Sequence, residues 1–261
     1  MKMKKTLIVF CLGMAINLLS ACASNVPAVN ISPYITIRGE QFSTDLTELS
    51  LNSILIDGHF DIDSILKDED IEPLRYMTNL TALSLKGNQI SDLSPLSSLT
   101  NLTYLDLNSN QISDLSPLSG LTNLEHLDIR LNLISDLTPL TSLTNLTWLN
   151  LYGNHISDVL PLNELINLTY LGLWINDISD ISPLAGLINL TRLNLSGNHI
   201  QDLTPLSGLT NLTELWLGDN QIRDISPLMG LKNLIELRLY RNQIIDWSPV
   251  AHIDYVVGRP E

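Results

Sequence analysis

The sequence predicts a solenoid: a right-handed curved coil with a parallel β-strand per turn on its concave side and a short 3-10 turn on its convex side. Three observations predict it. A 22-residue unit, LTALSLKGNQISDLSPLSSLTN from Leu80 to Asn101, recurs without gaps from Leu102, Leu124, Leu146, Leu168, Leu190, Leu212 and Leu234. Nine of the twelve prolines, from Pro73 to Pro249, stand 22 residues apart. An asparagine recurs at the same period, from Asn88 through Asn110, Asn132, Asn154, Asn176, Asn198 and Asn220 to Asn242.

The pattern L-x-x-L-x-L-x-x-N at a period of about 20–29 residues is that of leucine-rich repeats. In the first full unit Leu83 and Leu85 alternate with Ala82, Ser84 and Lys86, the period of a strand with one buried face. Leu80, Ile90, Leu93, Leu96 and Leu99 point into the same interior, and only stacked turns can bury them together. A buried amide at Asn88 must find partners, which bending backbone supplies from one turn to the next. Ser94-Pro95 fits a hydroxyl cap followed by proline at the first helical position. So few residues follow before the next strand that a 3-10 turn is expected rather than an α-helix.

Residues 1–21 read as an export signal. MKMKK is a basic start, and the apolar run Thr6 to Leu19 is shorter than the ~20 residues of a membrane-spanning helix. Leu19-Ser20-Ala21-Cys22 resembles the bacterial lipobox, which implies cleavage before Cys22 and lipid on it. The only other cysteine, Cys11, lies in the segment that would be removed, so no disulfide is expected. Several acyl chains give stable anchoring. Ala23 in the next position implies, by the same resemblance, the outer membrane where a cell has two.

Residues 22–33 are then a short polar tether. Residues 34–79 read as an amino-terminal cap with an atypical first repeat. Ile35/Ile37 and Leu49/Leu51 are strand-like alternations, and the repeat begun at Leu46 holds a 12-residue insertion before Asn79. Within it Asp57, His59, Asp61, Asp63 and Asp68 loosely follow a calcium-loop spacing without its central glycine, and are expected to form an acidic surface. Residues 80–246 are the regular repeats, and 247–261 read as a carboxy-terminal cap replacing the next strand. Trp247 there stands in for leucine, and Val250, Ile253, Tyr255 and Val257 close the last coil.

The net charge is −14, and removal of residues 1–21 leaves 11 basic against 28 acidic residues, −17. Such a surface repels phosphates, which excludes nucleic acid as a partner. Asp92 and its equivalents to Asp246 stack one per turn. Without the glycine-rich loops of calcium-binding repeats they are expected to be solvated or to cap backbone. His155 and His199 fall at a variable turn position. His126, Asp106 and Asp128 could meet on one face, yet no nucleophile elbow, phosphate loop or metal-binding helix motif is present. No catalytic residue, metal or cofactor is expected.

The 22-residue spacing, the DLxPL turn and the LTNL junction, over roughly Leu46 to Pro249, resemble the internalin-type repeats of bacterial surface proteins. That resemblance implies a binding module whose partners, host cell-surface proteins, sit on the concave sheet. The chain departs from the best-known members in its lipid-anchor motif and its lack of further carboxy-terminal modules.

Function is expected at strand positions that the interior does not claim: the third, fifth and seventh of each unit. Three of the four tryptophans and four of the seven tyrosines fall there. The candidate face comprises Tyr104, His126, Arg130, Trp148, Tyr152, Tyr170, Trp174, Arg192, Trp216, Arg238 and Tyr240. Aromatics beside arginines match the composition of protein-interface hot spots. Strand propensity alone would equally favour Val, Ile and Thr, which are nearly absent from these positions. A protein partner is expected, bound by a monomer on a broad surface with no deep cleft. A polysaccharide stacked on the aromatics is the alternative, as is an envelope scaffold without a host role.

Overall fold

A computed structural model describes residues 33–53, 55, 56, 59, 60 and 64–259. Residues 1–21, read above as an export signal, Cys22, the expected tether as far as residue 32, and the acidic side chains Asp57, Asp61 and Asp63 lie outside the described residues. So does the side chain of His59.

Strand β1 (Tyr34–Ile37) and strand β2 (Glu40–Ser43) form an antiparallel hairpin. Its turn residues Arg38 and Gly39 both have positive φ, as a two-residue type I′ hairpin requires. Ile35, Ile37 and Phe42 cover the open end of the core. Strand β3 (Glu48–Ser50) follows. The insertion adds a small hairpin, β4 (Leu55–Ile56) with β5 (His59–Phe60), and a helical turn α1 (Asp68–Ile71). An ion pair between Arg38 and Asp70 at 2.8 Å ties the first hairpin to α1.

One strand per repeat then follows: β6 (Ala82–Ser84), β7 (Tyr104–Asp106), β8 (His126–Asp128), β9 (Trp148–Asn150), β10 (Tyr170–Gly172), β11 (Arg192–Asn194), β12 (Glu214–Trp216) and β13 (Glu236–Arg238). With β3 and a last strand β14 (Tyr255–Val257) they make a ten-stranded sheet in sequence order, with every pairing parallel. The fold is a leucine-rich repeat solenoid.

Side chains that the period sent inward are there. Leu80, Leu83, Leu85, Ile90, Leu96 and Leu99 are fully buried, as are their equivalents through Leu215 and Leu217. The asparagine row stitches the turns together. Asn154 Nδ2 donates to the carbonyls of Leu151 and Ile129, and its Oδ1 accepts from the Ile134 amide at 3.0 Å. Each buried amide thus satisfies its own turn and the preceding one. A second row appears at the LTNL junction, where Asn101, Asn123 and Asn145 each reach a carbonyl of the preceding repeat at 2.9 Å.

Three expectations need correction. The 3-10 turns form, as at Ser94–Leu96 and Ser116–Leu118, but serine is their first residue and proline their second. The cap is the aspartate two residues earlier: Asp92 Oδ1 accepts from the Ser94 amide at 2.8 Å, and the Ser94 hydroxyl donates to Oδ2. Leu160 has no hydroxyl, yet its amide keeps the same bond to Asp158. The carboxy-terminal segment forms a strand rather than replacing one. Its last coil spans 19 residues instead of 22, so Leu237 pairs with Val256, and Val256 packs on the core. Tyr255 and Val257 flank it on the outward side, with Tyr255 exposed, whereas Val250 and Ile253 are buried as expected. Among the described residues no helix is long and apolar enough to cross a membrane.

Candidate functional site

The register of the sheet builds the outer face. Third positions of successive repeats are Cα partners, as in Tyr104–His126, His126–Trp148 and Trp148–Tyr170. Parallel strands lie ~4.8 Å apart, close to the distance at which flat rings stack. Tyr104 and His126 stack at 4.5 Å, His126 and Trp148 at 3.9 Å, and Trp148 and Tyr170 at 4.8 Å. Arg192 ends the column with its guanidinium 5.1 Å from the Tyr170 ring centre. At the seventh positions Tyr152 and Trp174 stack at 4.1 Å. Arg238 lies over Trp216, and Glu236 accepts from both the Trp216 indole and the Arg238 guanidinium.

The fifth positions behave differently from expectation. Asp106, Asp128, Asn150 and Asn194 each accept, through Oδ1, the backbone amide two residues on. They brace the strand ends, and Asp128 and Asn150 are buried beneath the aromatics. Gly172 at a fifth position and Gly218 at a seventh open room instead. A Cβ on Gly172 would lie 2.8 Å from the Tyr170 hydroxyl, and one on Gly218 would lie 2.3 Å from the Tyr240 ring. Both glycines therefore let a tyrosine lie down on the sheet.

The result is a basin of about 560 Å³, where the sequence foresaw no cleft. Its walls are Trp148, Tyr170, Trp174, Trp216 and Tyr240. Asn150, Asn194 and Ser196 also line it, as do Arg130, Arg192 and Arg238. Eight of the eleven candidate residues named from sequence line it, and Tyr152 stacks on Trp174 beside it. Tyr104 and His126 extend the long column away from it.

Charge within the face is uneven. Asp128 is only 6% exposed, and burial pushes its carboxyl up to about 6. Arg130, 3.3 Å away, holds it down, and Asp106 pushes it further up. Burial lowers the His126 pKa, against Asp106, and raises the pKa of Tyr170. His126 has both ring faces covered by its stacking neighbours, so it serves as a member of the column. Among the described residues no group of three or more His, Cys, Asp or Glu is placed to hold a metal ion. His155 and His199 are exposed turn residues.

A regularly repeated coil with one variable, aromatic outer face defines a class of repeat scaffold, and the comparisons agree. The chain belongs to the leucine-rich repeat family: a two-copy leucine-rich repeat profile matches residues 78–120, 100–142, 166–208 and 210–252, and a single-repeat profile matches 145–163. Within that family it is internalin-like. It is similar to the crystal structure of internalin C2 of Listeria monocytogenes, at 36% identity over 84% of this chain and 83% of that one, with a TM-score of 0.56. A leucine-rich repeat protein of Leptospira interrogans is 28% identical over 70% of this chain and 50% of that one, with a TM-score of 0.66. The functional domain of InlJ of Listeria monocytogenes shares the fold at 23% identity, over 84% of this chain and 56% of that one (TM-score 0.56). That domain includes a cysteine ladder; this chain has two cysteines, neither in the repeats. No curated protein matches the chain by sequence.

Proposed function

We propose that the chain is a lipid-anchored, extracytoplasmic protein-binding module that holds its partner on the outer face of the sheet. Residues 1–21 are removed, Cys22 is acylated, and 22–33 tether the domain to a bacterial membrane or cell surface. Residues 34–79 and 247–261 close the two ends of the repeats at 80–246. The observation that supports this reading most is the in-register aromatic column. The interior makes no demand on these positions; Ala82 and Ser84 occupy their equivalents in the preceding repeat. The internalin-like character adds a host cell-surface protein as the partner class. Aromatic walls around a basin also suit sugar rings, which is the one observation favouring a polysaccharide.

Pull-downs with the purified full-length chain test the reading, with a Trp148→Ala/Trp174→Ala/Trp216→Ala variant as the comparison. Host-cell surface extract and the producer's own envelope are the two baits, and circular dichroism checks both proteins. A protein captured from host extract by the native chain alone supports the reading. Capture from the producer's envelope alone turns it into an envelope scaffold. Capture abolished by soluble oligosaccharide points to a polysaccharide, and equal capture by both forms removes the function from this face.

A further inference from the structure

We propose that the basin receives a single carboxylate: an Asp or Glu side chain of an extended segment of the partner protein, with Arg192 as its counter-ion. This deepens the protein-binding reading above and rests on it.

The first argument is charge. The chain carries −14 overall, yet three arginines and no carboxylate line the basin. Two of the three are already committed, Arg130 to Asp128 and Arg238 to Glu236. Among the described residues, no carboxylate lies within ion-pair distance of Arg192. Glu214, its register partner on β12, stands beside it without pairing, so Arg192 is the one arginine of the basin left without an ion pair, which matches a monoanion better than a phosphate dianion.

The second argument is the imbalance of donors. The Oδ1 of Asn194, which is half-buried, is taken by a backbone amide, which leaves its Nδ2 donor for a ligand; Asn150, bonded in the same way, is buried beneath the aromatics. Arg192 lies over Tyr170, a stacking that holds the guanidinium plane while its N–H edges stay available. Fixed donors around a planar fork suit the two oxygens of a carboxylate. The third argument is the walls. Indoles and phenols on both sides favour apolar neighbours of the acidic residue and exclude water from the ion pair, which strengthens it.

The test uses tryptophan emission, because Trp148, Trp174 and Trp216 all line the basin. The purified full-length chain is titrated with acetylated, amidated Phe-Glu-Phe, with Phe-Gln-Phe, with inorganic phosphate and with galacturonate. The expected result is a saturable shift with Phe-Glu-Phe and a shift at least about tenfold weaker with Phe-Gln-Phe. Arg192→Gln should lose about tenfold in affinity for the acidic peptide, and Arg192→Lys should lose less, keeping the charge but not the fork. Arg192 is exposed, so both variants should fold, as circular dichroism will check. Equal binding of the two peptides overturns the proposal, as does unchanged binding by Arg192→Gln. A response to phosphate or galacturonate alone overturns it in favour of a different anion. If none of the probes binds while the tryptophan-dependent pull-down still succeeds, the carboxylate inference fails and the protein-binding reading stands.

Discussion

Two rows of side chains run the length of the solenoid, one on each side of the same strands. Inside and at the turn, every repeat places leucine and asparagine at fixed positions. Outside, the third position changes from Ala82 to Tyr104, His126, Trp148, Tyr170, Arg192 and Glu214. Both rows obey the same register, so geometry does not separate them. What separates them is how much each position is constrained. Asn154 must satisfy backbone groups of two turns at once, and one residue type does that. Trp148 must only lie beside its neighbours, and many types could. The contrast teaches where the scaffold ends and where specific chemistry begins.

The largest expected effect comes from crossing that line within one strand. Leu149 is fully buried, while Trp148 next to it is only half-buried and faces outward. Leu149→Ala should cost about 2–5 kcal/mol in urea unfolding. Trp148→Ala loses two stacked neighbours, about 1–2 kcal/mol, and should instead abolish partner capture. Equal costs for the two would break the distinction between rows. Asn154→Ala should rank beside the leucine. It strands the Ile134 amide and loosens two carbonyls, for about 3 kcal/mol on the same measurement.

Much of this was legible in the sequence, because a repeated fold repeats its reasons. The 22-residue period placed the interior leucines, the asparagine row and the 3-10 turns. It also brought the aromatics to one face, since parallel pairing at that spacing puts third position against third position. What the period does not cover was harder to read. Phe42 sits on the hairpin before the repeats begin, and the insertion up to Asn79 breaks the pattern. The shortened last coil moved Val256 inward against expectation. At the fifth positions a local bond was missed. Asp and Asn at the last residue of a strand readily accept the amide two residues on, and their recurrence at 106, 128, 150 and 194 was the available signal. The basin depends on Gly172 and Gly218 lying beneath tyrosines, which only side-chain positions reveal.

Asp128 sharpens the comparison, being buried like the inner row but placed on the outer face. Its folded pKa of about 6 lies above the ordinary 3.8. Between these pH values the folded chain holds more protons than the unfolded one, so this carboxyl's contribution to stability falls as pH rises from 4 to 6. Above pH 6 the full cost is present, about 2–3 kcal/mol. Asp128→Asn should therefore stabilise the protein by about that amount at pH 8 and by almost nothing at pH 4. His126 acts the other way. Its lowered pKa means that the unfolded chain takes the proton first as pH falls below 6.5. The difference between native and Asp128→Asn unfolding curves across pH isolates the carboxyl. A gain that did not shrink in acid would show that Asp128 is not strained by burial.

The smallest effect concerns the residue that follows the seventh position, where the strand bends into the turn. Gly153 and Gly197 hold it with φ of 65° and 64°, a region open to glycine at no steric cost. Leu131 and Ile175 hold it with φ of 54°. A β-branched side chain there is strained by about 1–3 kcal/mol. Ile175 recovers part of this by lying over Gly197, whose Cβ, if present, would be 3.1 Å from its Cγ1. Ile175→Gly releases the strain, loses that contact and adds freedom to the unfolded chain. The net should be a gain of about 0.5–1 kcal/mol, read as a higher urea midpoint with an unchanged slope. A loss of stability would mean that the isoleucine contact outweighs the backbone strain, and that this edge belongs with the constrained row. A gain places it with the outer face, where the scaffold tolerates a less stable residue.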